Sequence, residues 1–444
     1  MCIESSSKDQ GPKVSGTLQR SSFSQPKGYV KVKTWIIVPF EPVPEVDVNV
    51  RPLRYGYLAS ELAKRNHQVI WWTSDFNHFT KKNRYSKSVR VYINSNLSVQ
   101  FLNATPYRKN ISLARIRHNL SLAQSFRKIV KSSPEKPDII FVCLPTLELA
   151  QQAVEYGKRN KIPVVVDIVD TWPDIYLTSV PNWLRPIGLI ALAADFRKSA
   201  TILKSATAIT AVSDTYLNWG LTRASRKRRN TDKAFLLGYH IPKDYNLSKY
   251  HLIEELREKY NLSRNLFIIT FLGQLASSYD VETIIYAASK LQSNQDIRFV
   301  IAGDGDKMPI LKKLSRNLNN VIFTGWIDHP TALSLLHISS LGLCAYSTKA
   351  LQSLPYKPFE YMACGLPLLS SLKGELADLV DAHRIGRNYT AQNVDSLVKE
   401  INFFVNNPRE SEEMACNAKQ LFESRFASDK IYGSLVRYLE SLSL

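Results

Sequence analysis

Cysteine is scarce in this chain, and its distribution excludes whole classes of protein. The five cysteines are scattered at Cys2, Cys143, Cys344, Cys364 and Cys416, without the short spacings that mark disulfide-rich modules or structural zinc sites. Three of them lie within or beside apolar runs, which is typical of reduced cysteines in a core. We therefore predict a chain without disulfides in a reducing, cytoplasmic setting.

Long apolar runs are also missing. The longest uncharged stretch next to a helix, Pro186–Ala194, falls far short of the roughly 20 residues that a transmembrane helix needs. Residues 1–30 are rich in Ser, Lys, Gln and Gly and lack the apolar segment of a signal peptide, which predicts a flexible tail. Any membrane contact is therefore predicted to be peripheral, on the inner face of the cell membrane.

Acidic residues are the minority among the charged ones. The chain has 39 Asp and Glu against 58 Lys and Arg, which gives a formal charge of +19 and favours an anionic partner such as a nucleotide, a nucleic acid or an acidic lipid. No motif that reads RNA or DNA is present, so we expect no nucleic acid partner. The eight histidines show no helical pair with flanking carboxylates, which argues against a zinc site.

Apolar runs that alternate with amphipathic segments fill most of the chain. The first half contains TWIIVPF, DIIFVCL and PVVVDIVD, and a second series contains LFIITFLG, IRFVIAG, VIFTG and LGLCAYS. This pattern predicts an α/β protein with two doubly wound parallel sheets, and the length of 444 residues also favours two domains. We predict a first domain at 31–240, a second at 241–426, and a C-terminal helix at 427–444 that packs on a domain surface. The charged segment 225–233 is predicted to be a solvated loop.

The most informative stretch is SLPYKPFEYMACGLPLLS, residues 353–370. It predicts a helix at Lys357–Cys364 between two parallel strands, stopped by Gly365. The start of such a helix offers free N–H groups to a phosphate, and Glu360 in its first turn can accept hydrogen bonds from a ribose diol. The alternative is that Glu360 complements the helix dipole and Lys357 is solvated.

Several motifs occur in an order that resembles a known family. They are FLGQL, IAGDGD, FTGWI and KPFEYMACGLP in the second half, with DTWPDIY and AVSDTYL in the first. Together they resemble the family 4 retaining glycosyltransferases of GT-B fold, in the O-antigen, capsule and exopolysaccharide branch that includes fucosaminyltransferases. The resemblance implies two Rossmann-like domains that face each other across a cleft, with the acceptor on the first and the nucleotide sugar on the second.

The resemblance also implies roles for residues of this block. Glu360 matches the glutamate that holds the ribose, and Lys357 matches a lysine of the branch that would bind the diphosphate. Gln352 stands where the wider family has a Glu near the sugar; a Gln can hydrogen-bond a sugar hydroxyl but carries no charge. Lys357 and Gln352, together with Asp170 of the first domain, are the predicted catalytic residues.

The donor site departs from the family pattern at one loop. Where the wider family has an Arg after Gly273 and a Lys five residues later, this chain has Gln274 and Tyr279. Two lost cations opposite a diphosphate cost several kcal/mol unless they are replaced, at about 1.5–3 kcal/mol for each charged hydrogen bond. Gly273, Gln274, Trp326 and Tyr361 complete the predicted donor site.

The first domain offers candidate contacts of its own. The glycine-rich loop of the family is replaced by FEPVPEVDVNVRPLR, which contains no glycine. Arg51 and Arg54 at its end, and Lys349 in the second domain, are possible contacts to donor phosphates or to an acceptor; solvated helix residues are the alternative for the two arginines. Asp170, beside Trp172, resembles the sugar-facing turn of the branch, although a buried core Trp is the alternative.

A basic stretch predicts contact with an acidic membrane surface. His118 within it is predicted to lie on the surface, and Trp183–Ala194 adds either an apolar edge or a buried interdomain helix. The basic residues are Arg108, Lys109, Arg115, Arg117, Arg127, Lys128 and Lys131, interleaved with Ile111, Leu113, Ile116, Leu120, Leu122, Phe126 and Ile129.

The predicted function is that of a retaining glycosyltransferase of the hexosyl or N-acetylhexosaminyl type. The expected donor is a UDP-linked sugar, and the expected acceptor is lipid-diphosphate-linked or a saccharide in surface polysaccharide biosynthesis. The alternative is a GT-B-fold UDP-sugar epimerase or a catalytically weak nucleotide-sugar-binding homologue. No cofactor is expected, and no metal, because Asp304 and Asp306 lie where this family has a simple turn.

Overall fold

The computed structural model describes residues 31–47, 50–110, 112–242 and 245–443. The predicted tail at 1–30 lies outside the described residues. From Val32 onward the chain forms one compact unit by its internal contacts. No helix in the described ranges is both long and apolar enough to cross a bilayer.

The first half of the chain builds an eight-stranded sheet in the order β10-β9-β8-β7-β1-β2-β6-β5. All neighbours are parallel except β5, which runs antiparallel to β6, while β3 and β4 form a separate hairpin. The strands are β1 Lys33–Ile37, β2 Gln68–Ser74, β3 Phe76–Asn77, β4 Lys82–Asn83, β5 Val89–Tyr92, β6 Leu97–Leu102, β7 Ile139–Leu144, β8 Val164–Ile168, β9 Ala208–Ala211 and β10 Lys233–Ala234.

Helices cover both faces of this sheet, because its central strands are apolar on both sides. In β1, Trp35 packs near Phe126 on one face, while the next residue, Ile36, belongs to the core on the other face. The helices are α1 Arg54–Lys64, α2 Leu113–Ser132, α3 Leu147–Asn160, α4 Arg185–Ala191, α5 Ala193–Ser205 and α6 Asp214–Arg223, with 3₁₀ turns at Asp174–Ser179 and Asn182–Leu184.

The second half builds a six-stranded parallel sheet in the order β13-β12-β11-β14-β15-β16. Its strands are β11 Phe267–Leu272, β12 Ile297–Ala302, β13 Val321–Gly325, β14 Leu341–Cys344, β15 Leu368–Ser370 and β16 Gly386–Asn388. The helices are α7 Tyr245–Tyr260, α8 Val281–Lys290, α9 Met308–Leu314, α10 His329–Ile338, α11 Tyr356–Ala363, α12 Glu375–His383, α13 Val394–Asn406, α14 Pro408–Leu421 and α15 Ser428–Ser443, with a π-helical turn at Phe422–Phe426.

The last helix returns to the first half of the molecule. In α15, Tyr432, Leu435 and Leu439 are buried in the core that also contains Leu58 of α1. The ring of Tyr432 stacks on Tyr57, with 5.4 Å between ring centroids. The chain therefore crosses between the two sheets twice, once before α7 and once before α15.

The charged segment 225–233 is mostly an exposed loop, as its composition predicts, but it contains one buried carboxylate. Asp232 is fully buried, pairs with Arg226 at 2.7 Å and accepts a hydrogen bond from the backbone N–H of Ile209 at 2.8 Å. A buried carboxylate needs a charged partner, and Arg226 supplies one, whereas Lys227, Arg228 and Arg229 are exposed.

Candidate functional site

The two parallel sheets face each other across a cleft with their carboxyl ends. Asp170, which follows β8, and Gly273, which follows β11, line the same cavity. In parallel α/β sheets, ligand sites form beyond the carboxyl ends of the strands. The cleft therefore lies where this architecture places binding sites.

The cleft contains two neighbouring chambers. The Trp326 chamber has a volume of about 760 Å³ and lies between the loop before α1, the β3–β4 hairpin and α10. The Lys357 chamber has a volume of about 510 Å³ and lies between the ends of the two sheets and α11. Both volumes are in the range of small-molecule sites, about 300–1,000 Å³.

An ion pair between the two halves separates the chambers. Arg51 and Glu360 line both cavities, and the Arg51 guanidinium donates a hydrogen bond to the Glu360 carboxylate. The guanidinium also lies over the rings of Tyr239 and Tyr356, at 5.1 and 5.6 Å from their centroids. Arg51 therefore occupies the carboxylate that the sequence assigned to a ribose.

Helix α11 presents Lys357 and Glu360 to the cleft. The helix begins after Pro355 and ends before Gly365, whose φ of +68° suits a glycine. The two side chains are three residues apart and so share one face. Glu360 is the fifth residue of α11, not a first-turn residue as predicted, and so the alternative role as a dipole partner loses its basis.

The Lys357 ammonium lies in an aromatic cage rather than in solvent. Lys357 is 6% exposed, and its Nζ lies 3.7 Å from the centroid of Phe271 and 4.1 Å from that of Tyr279. Among the described residues Nζ has no hydrogen-bond partner. Burial lowers the pKa of Lys357 to about 7, although Cys344 and Glu360 act in the opposite direction.

The loop after β11 fits closely around this lysine. Gly273 has φ of +145°, and a Cβ at this position would lie 2.9 Å from the Lys357 Nζ. Tyr279, where the wider family has a lysine, supplies an aromatic face to Lys357. Tyr279 therefore contributes a ring face to the cage and no second cation.

Two carboxyl groups form the opposite wall of the Lys357 chamber. Glu41 accepts hydrogen bonds from the N–H groups of Tyr55 and Gly56 at the start of α1, at 2.9 and 3.3 Å. Burial raises the pKa of Glu41 to about 8 and that of Asp170 to about 6. Sequence reasoning missed Glu41; its signal was a carboxylate in a glycine-free loop just before a helix.

Arg54 has a structural role that its sequence context did not reveal. Its guanidinium donates two hydrogen bonds to Asp167, at 2.8 and 3.0 Å, and others to the carbonyls of Phe235 and Leu236. Burial alone would lower the pKa of Arg54, but Asp167 more than compensates and raises it. The predicted phosphate contact is therefore not supported, because these hydrogen bonds occupy the guanidinium.

Of the five remaining residues predicted for the site, one lines a chamber of the cleft and four do not. Trp326 lines its chamber and is 71% exposed. Tyr361 is fully buried, where its hydroxyl accepts from the Leu272 N–H at 3.0 Å and donates to the Leu343 carbonyl, so a donor contact is not supported. Gln274 and Lys349 are exposed, Gln352 is partly buried, and none of these three lines either chamber.

No three His, Cys, Asp or Glu side chains in the described ranges are arranged to hold a metal ion. Asp304 instead accepts a hydrogen bond from the N–H of Gly305 at 2.7 Å. The Lys357 chamber thus combines an ammonium, an ion pair, two carboxyl groups and aromatic rings, while Asp47, Lys82, Arg84 and His329 add charged or titratable groups to the Trp326 chamber.

The basic stretch around α2 exposes large apolar side chains only in the first turns of the helix. Leu122 and Phe126 are fully buried in the core, and His118, predicted to be on the surface, is 1% exposed. The large exposed apolar residues are Leu113, Ile116 and Leu120 of α2, with Trp183, Ile187, Leu189 and Ile190 around α4. The segment Trp183–Ala194 is therefore an apolar edge rather than a buried interdomain helix.

Comparison with known proteins is consistent with this geometry. Residues 253–421, which include β11 to β16 and α11, match the family of glycosyl transferases group 1. The chain is 29% identical over 187 residues to an alpha-D-kanosaminyltransferase of Streptomyces kanamyceticus, covering 40% of this chain and 47% of that protein. It is 26% identical over 160 residues to an alpha-monoglucosyldiacylglycerol synthase of Streptococcus pneumoniae, covering 34% and 36%. The matches therefore span less than half of these relatives.

Solved structures resemble the chain over almost all of its length. HepE of Anabaena in complex with UDP superposes with a TM-score of 0.66 at 16% identity, covering 92% of this chain and 100% of that one. Sucrose-phosphate synthase of Thermosynechococcus elongatus gives 0.68 at 14% identity, covering 93% and 100%. WaaG, a glycosyltransferase of lipopolysaccharide biosynthesis, gives 0.61 at 14%, covering 92% and 99%. These likenesses show the GT-B fold, as predicted from the sequence.

Proposed function

We propose that the chain is a retaining glycosyltransferase that moves a hexosyl or N-acetylhexosaminyl group from a UDP-linked donor to a lipid-linked or saccharide acceptor in surface polysaccharide biosynthesis. The observation that carries the proposal is that Lys357 and Glu360 project from one helix into the cleft between the two sheets. The family match of residues 253–421 and the UDP and UDP-glucose complexes of HepE support a nucleotide-sugar donor.

In this proposal the donor diphosphate binds at Lys357. A buried ammonium without a hydrogen-bond partner is costly, about 1–3 kcal/mol or more, and a diphosphate would supply the missing acceptors. The aromatic cage holds Nζ in place but offers only ring faces, so it does not compete with phosphate oxygens. Lys357 would then stabilise the charge that develops on the departing diphosphate.

Glu360 would accept hydrogen bonds from the two ribose hydroxyls after Arg51 has left it. On the opposite wall, Asp170 would position an acceptor hydroxyl near the anomeric carbon. The bond from C1 to the diphosphate oxygen breaks, the acceptor oxygen bonds C1 on the same face, and its proton passes to the departing phosphate. The protein's contribution is positioning and charge stabilisation.

UDP binding tests the donor site directly. We expect titration calorimetry to show UDP binding that weakens at least tenfold in both Glu360→Ala and Lys357→Met. Glu423→Ala, an exposed glutamate outside both chambers, is the matched control and should keep the affinity. If UDP does not bind, or binds equally well to the two cleft variants, the assigned donor site is wrong.

Product analysis separates transfer from epimerisation. A UDP-sugar labelled in the sugar is incubated with protein and a membrane extract, and the label is followed. We expect label in the lipid or saccharide fraction, with the remaining UDP-sugar unchanged. Conversion into an isomeric UDP-sugar without an acceptor would favour the epimerase alternative.

We also propose that the protein acts in the cytoplasm, bound peripherally to the inner face of the cell membrane. The exposed apolar side chains of α2 and α4 and the net charge of +19 support contact with an acidic bilayer.

A further inference from the structure

A group of basic side chains lies behind the first-half wall of the cleft. Arg115, near the start of α2, is 6% exposed. Its guanidinium lies over the rings of Tyr107, Phe40 and Trp172, at 4.7, 4.8 and 6.0 Å from their centroids. Phe40 itself lines the Lys357 chamber. Arg115 therefore contacts a residue that lines the proposed reaction site.

Three further basic side chains surround the same tyrosine. The Tyr107 hydroxyl is 2.5 Å from His78 Nδ1 and accepts a hydrogen bond from Arg115 Nη1 at 2.8 Å. The Lys81 Nζ lies 4.7 Å from the Tyr107 ring centroid, and the His118 ring lies 4.9 Å from it. Together Arg115, His78, Lys81 and His118 are called the basic cluster below.

Within the described residues, the basic cluster forms no ion pair with a carboxylate. Burial lowers the pKa of His78 to about 4, and the neighbouring Lys81, Arg115 and His118 act in the same direction. Burial also lowers the pKa of His118 to about 4. The hydrogen bond to the Thr105 carbonyl acts in the opposite direction, whereas Arg115 and Lys81 lower the pKa further. In addition, Arg115 Nε is buried without a hydrogen-bond partner in this part of the chain. Because both imidazoles are neutral near pH 7, the unfavourable features are the unsatisfied Arg115 donor and the neighbouring Lys81 cation, and a bound anion would relieve both.

We infer that the basic cluster binds the phosphate or diphosphate group of the acceptor, which rests on the proposed function. The cluster belongs to the half of the molecule opposite Lys357, so the acceptor phosphate and the donor diphosphate would bind at separate sites. Trp172, whose ring lies by Arg115, is two residues from Asp170 and so links the cluster to the wall of the Lys357 chamber. The planar fork of an arginine suits phosphate oxygens. Leu113 and Ile116, exposed on the same first turns of α2, offer an apolar surface to whatever the phosphate carries.

The test is a second anion-binding event in protein that already holds UDP. Inorganic pyrophosphate is titrated into UDP-saturated protein at constant ionic strength, so that the Lys357 site is occupied. We expect binding at one additional site, weakened at least tenfold by Lys81→Gln and by Arg115→Gln. Lys87→Gln, an exposed lysine on the same segment, is the matched control and should leave pyrophosphate binding unchanged.

Two results would overturn the inference. Either UDP-saturated protein binds no pyrophosphate, or Lys81→Gln binds it as tightly as the wild type does. Lys81 is on the surface side of the cluster, so its variant remains decisive if Arg115→Gln does not fold. Failure of UDP binding itself would instead contradict the proposed function, and the two failures are therefore distinguishable.

Dodecyl phosphate distinguishes the kinds of acceptor. Tighter binding of dodecyl phosphate than of inorganic phosphate, lost in Ile116→Asp, indicates a lipid-linked acceptor. Equal binding of the two indicates a soluble phosphorylated acceptor. Either result supports an anion site at the basic cluster, whereas binding of neither phosphate contradicts it.

Discussion

At the scale of single residues, Lys357 connects the electrostatics of the cleft with pH. Its pKa of about 7 means that near neutral pH a large fraction of the side chains is uncharged. A bound diphosphate would favour the charged form and raise this pKa. UDP binding should therefore be coupled to proton uptake at Lys357.

We predict that UDP binding weakens as pH rises above 7. Since the protonated fraction of Lys357 falls about tenfold per pH unit above its pKa, the dissociation constant should rise with the same slope until the pKa of the complex is reached. Below pH 7 this residue should contribute no further change. Titration calorimetry between pH 6 and pH 9.5 measures the slope.

Lys357→Met is the control for the pH profile, because the ionisation of UDP itself acts equally on both proteins. The variant should bind more weakly at pH 7 and lack the decline at higher pH. A variant that retained the decline would show that another group takes up the proton.

Residues of the site could be predicted where the local sequence determines which way their side chains point. Lys357 and Glu360 follow from a short helix with a defined start and a glycine stop. Arg54 was not predictable, because its partner Asp167 lies 113 residues further along the chain. Tyr361, next to Glu360, likewise needs the position of β11 before its hydroxyl can be placed.

At the scale of elements, the loop after β11 depends on Gly273. We predict that Gly273→Ala weakens UDP binding about tenfold or more, because the new methyl group would displace the Lys357 ammonium 2.9 Å away. A non-glycine residue at positive φ also costs about 1–3 kcal/mol of stability. Binding by calorimetry and stability by urea denaturation measure the two effects.

Gly365→Ala separates these two effects. Gly365 has φ of +68°, but a Cβ there would meet its nearest atom, on Lys419, at an ordinary 3.6 Å. This control should lose stability while keeping its affinity for UDP. Equal losses of affinity in both variants would point to backbone strain rather than to contact with Lys357.

The surface elements were the hardest to place from the sequence. Mixed basic and apolar residues in α2 fit a membrane surface and a core equally well, and the structure divides them, with Leu122 in the core and Ile116 exposed. In α4 no charged residue follows Arg185 until Asp195, so composition alone could not tell an exposed edge from a buried helix. Which side faces water depends on the neighbouring elements.

We predict that α4 contributes to membrane binding. Ile187 and Ile190 are 63% and 77% exposed, and burying two such side chains in a bilayer interface is worth about 3 kcal/mol or more. The double variant Ile187→Asp and Ile190→Asp should therefore sediment less with anionic vesicles. Tyr250→Asp, 79% exposed on α7 of the other half, should sediment like the wild type.

Binding to anionic vesicles should also decrease with added salt, because acidic lipids attract basic side chains electrostatically. Equal sedimentation with neutral and anionic vesicles, or no effect of the double α4 variant, would contradict the proposed membrane contact.

At the scale of the whole molecule, a few polar contacts join the two halves across the cleft. The Arg51–Glu360 pair is one, and Glu375 at the start of α12 is another, since it accepts a hydrogen bond from the Thr215 N–H of α6. The alternation of strands and helices predicted both sheets. It could not predict these contacts, because they depend on how the two sheets face each other.

Arg51, which the sequence offers as a possible contact to phosphate or to an acceptor, pairs with Glu360 in the structure. If ribose and Arg51 compete for this carboxylate, Arg51→Gln should strengthen UDP binding. A partly exposed pair of this kind is worth up to about 1 kcal/mol, which corresponds to about fivefold in affinity. Arg65→Gln, which breaks the pair with Glu61 inside one half, should leave UDP affinity unchanged. Weaker binding in Arg51→Gln would instead make Arg51 a ligand of the donor, as the sequence predicted, and Glu360 would then hold Arg51 in place for the diphosphate.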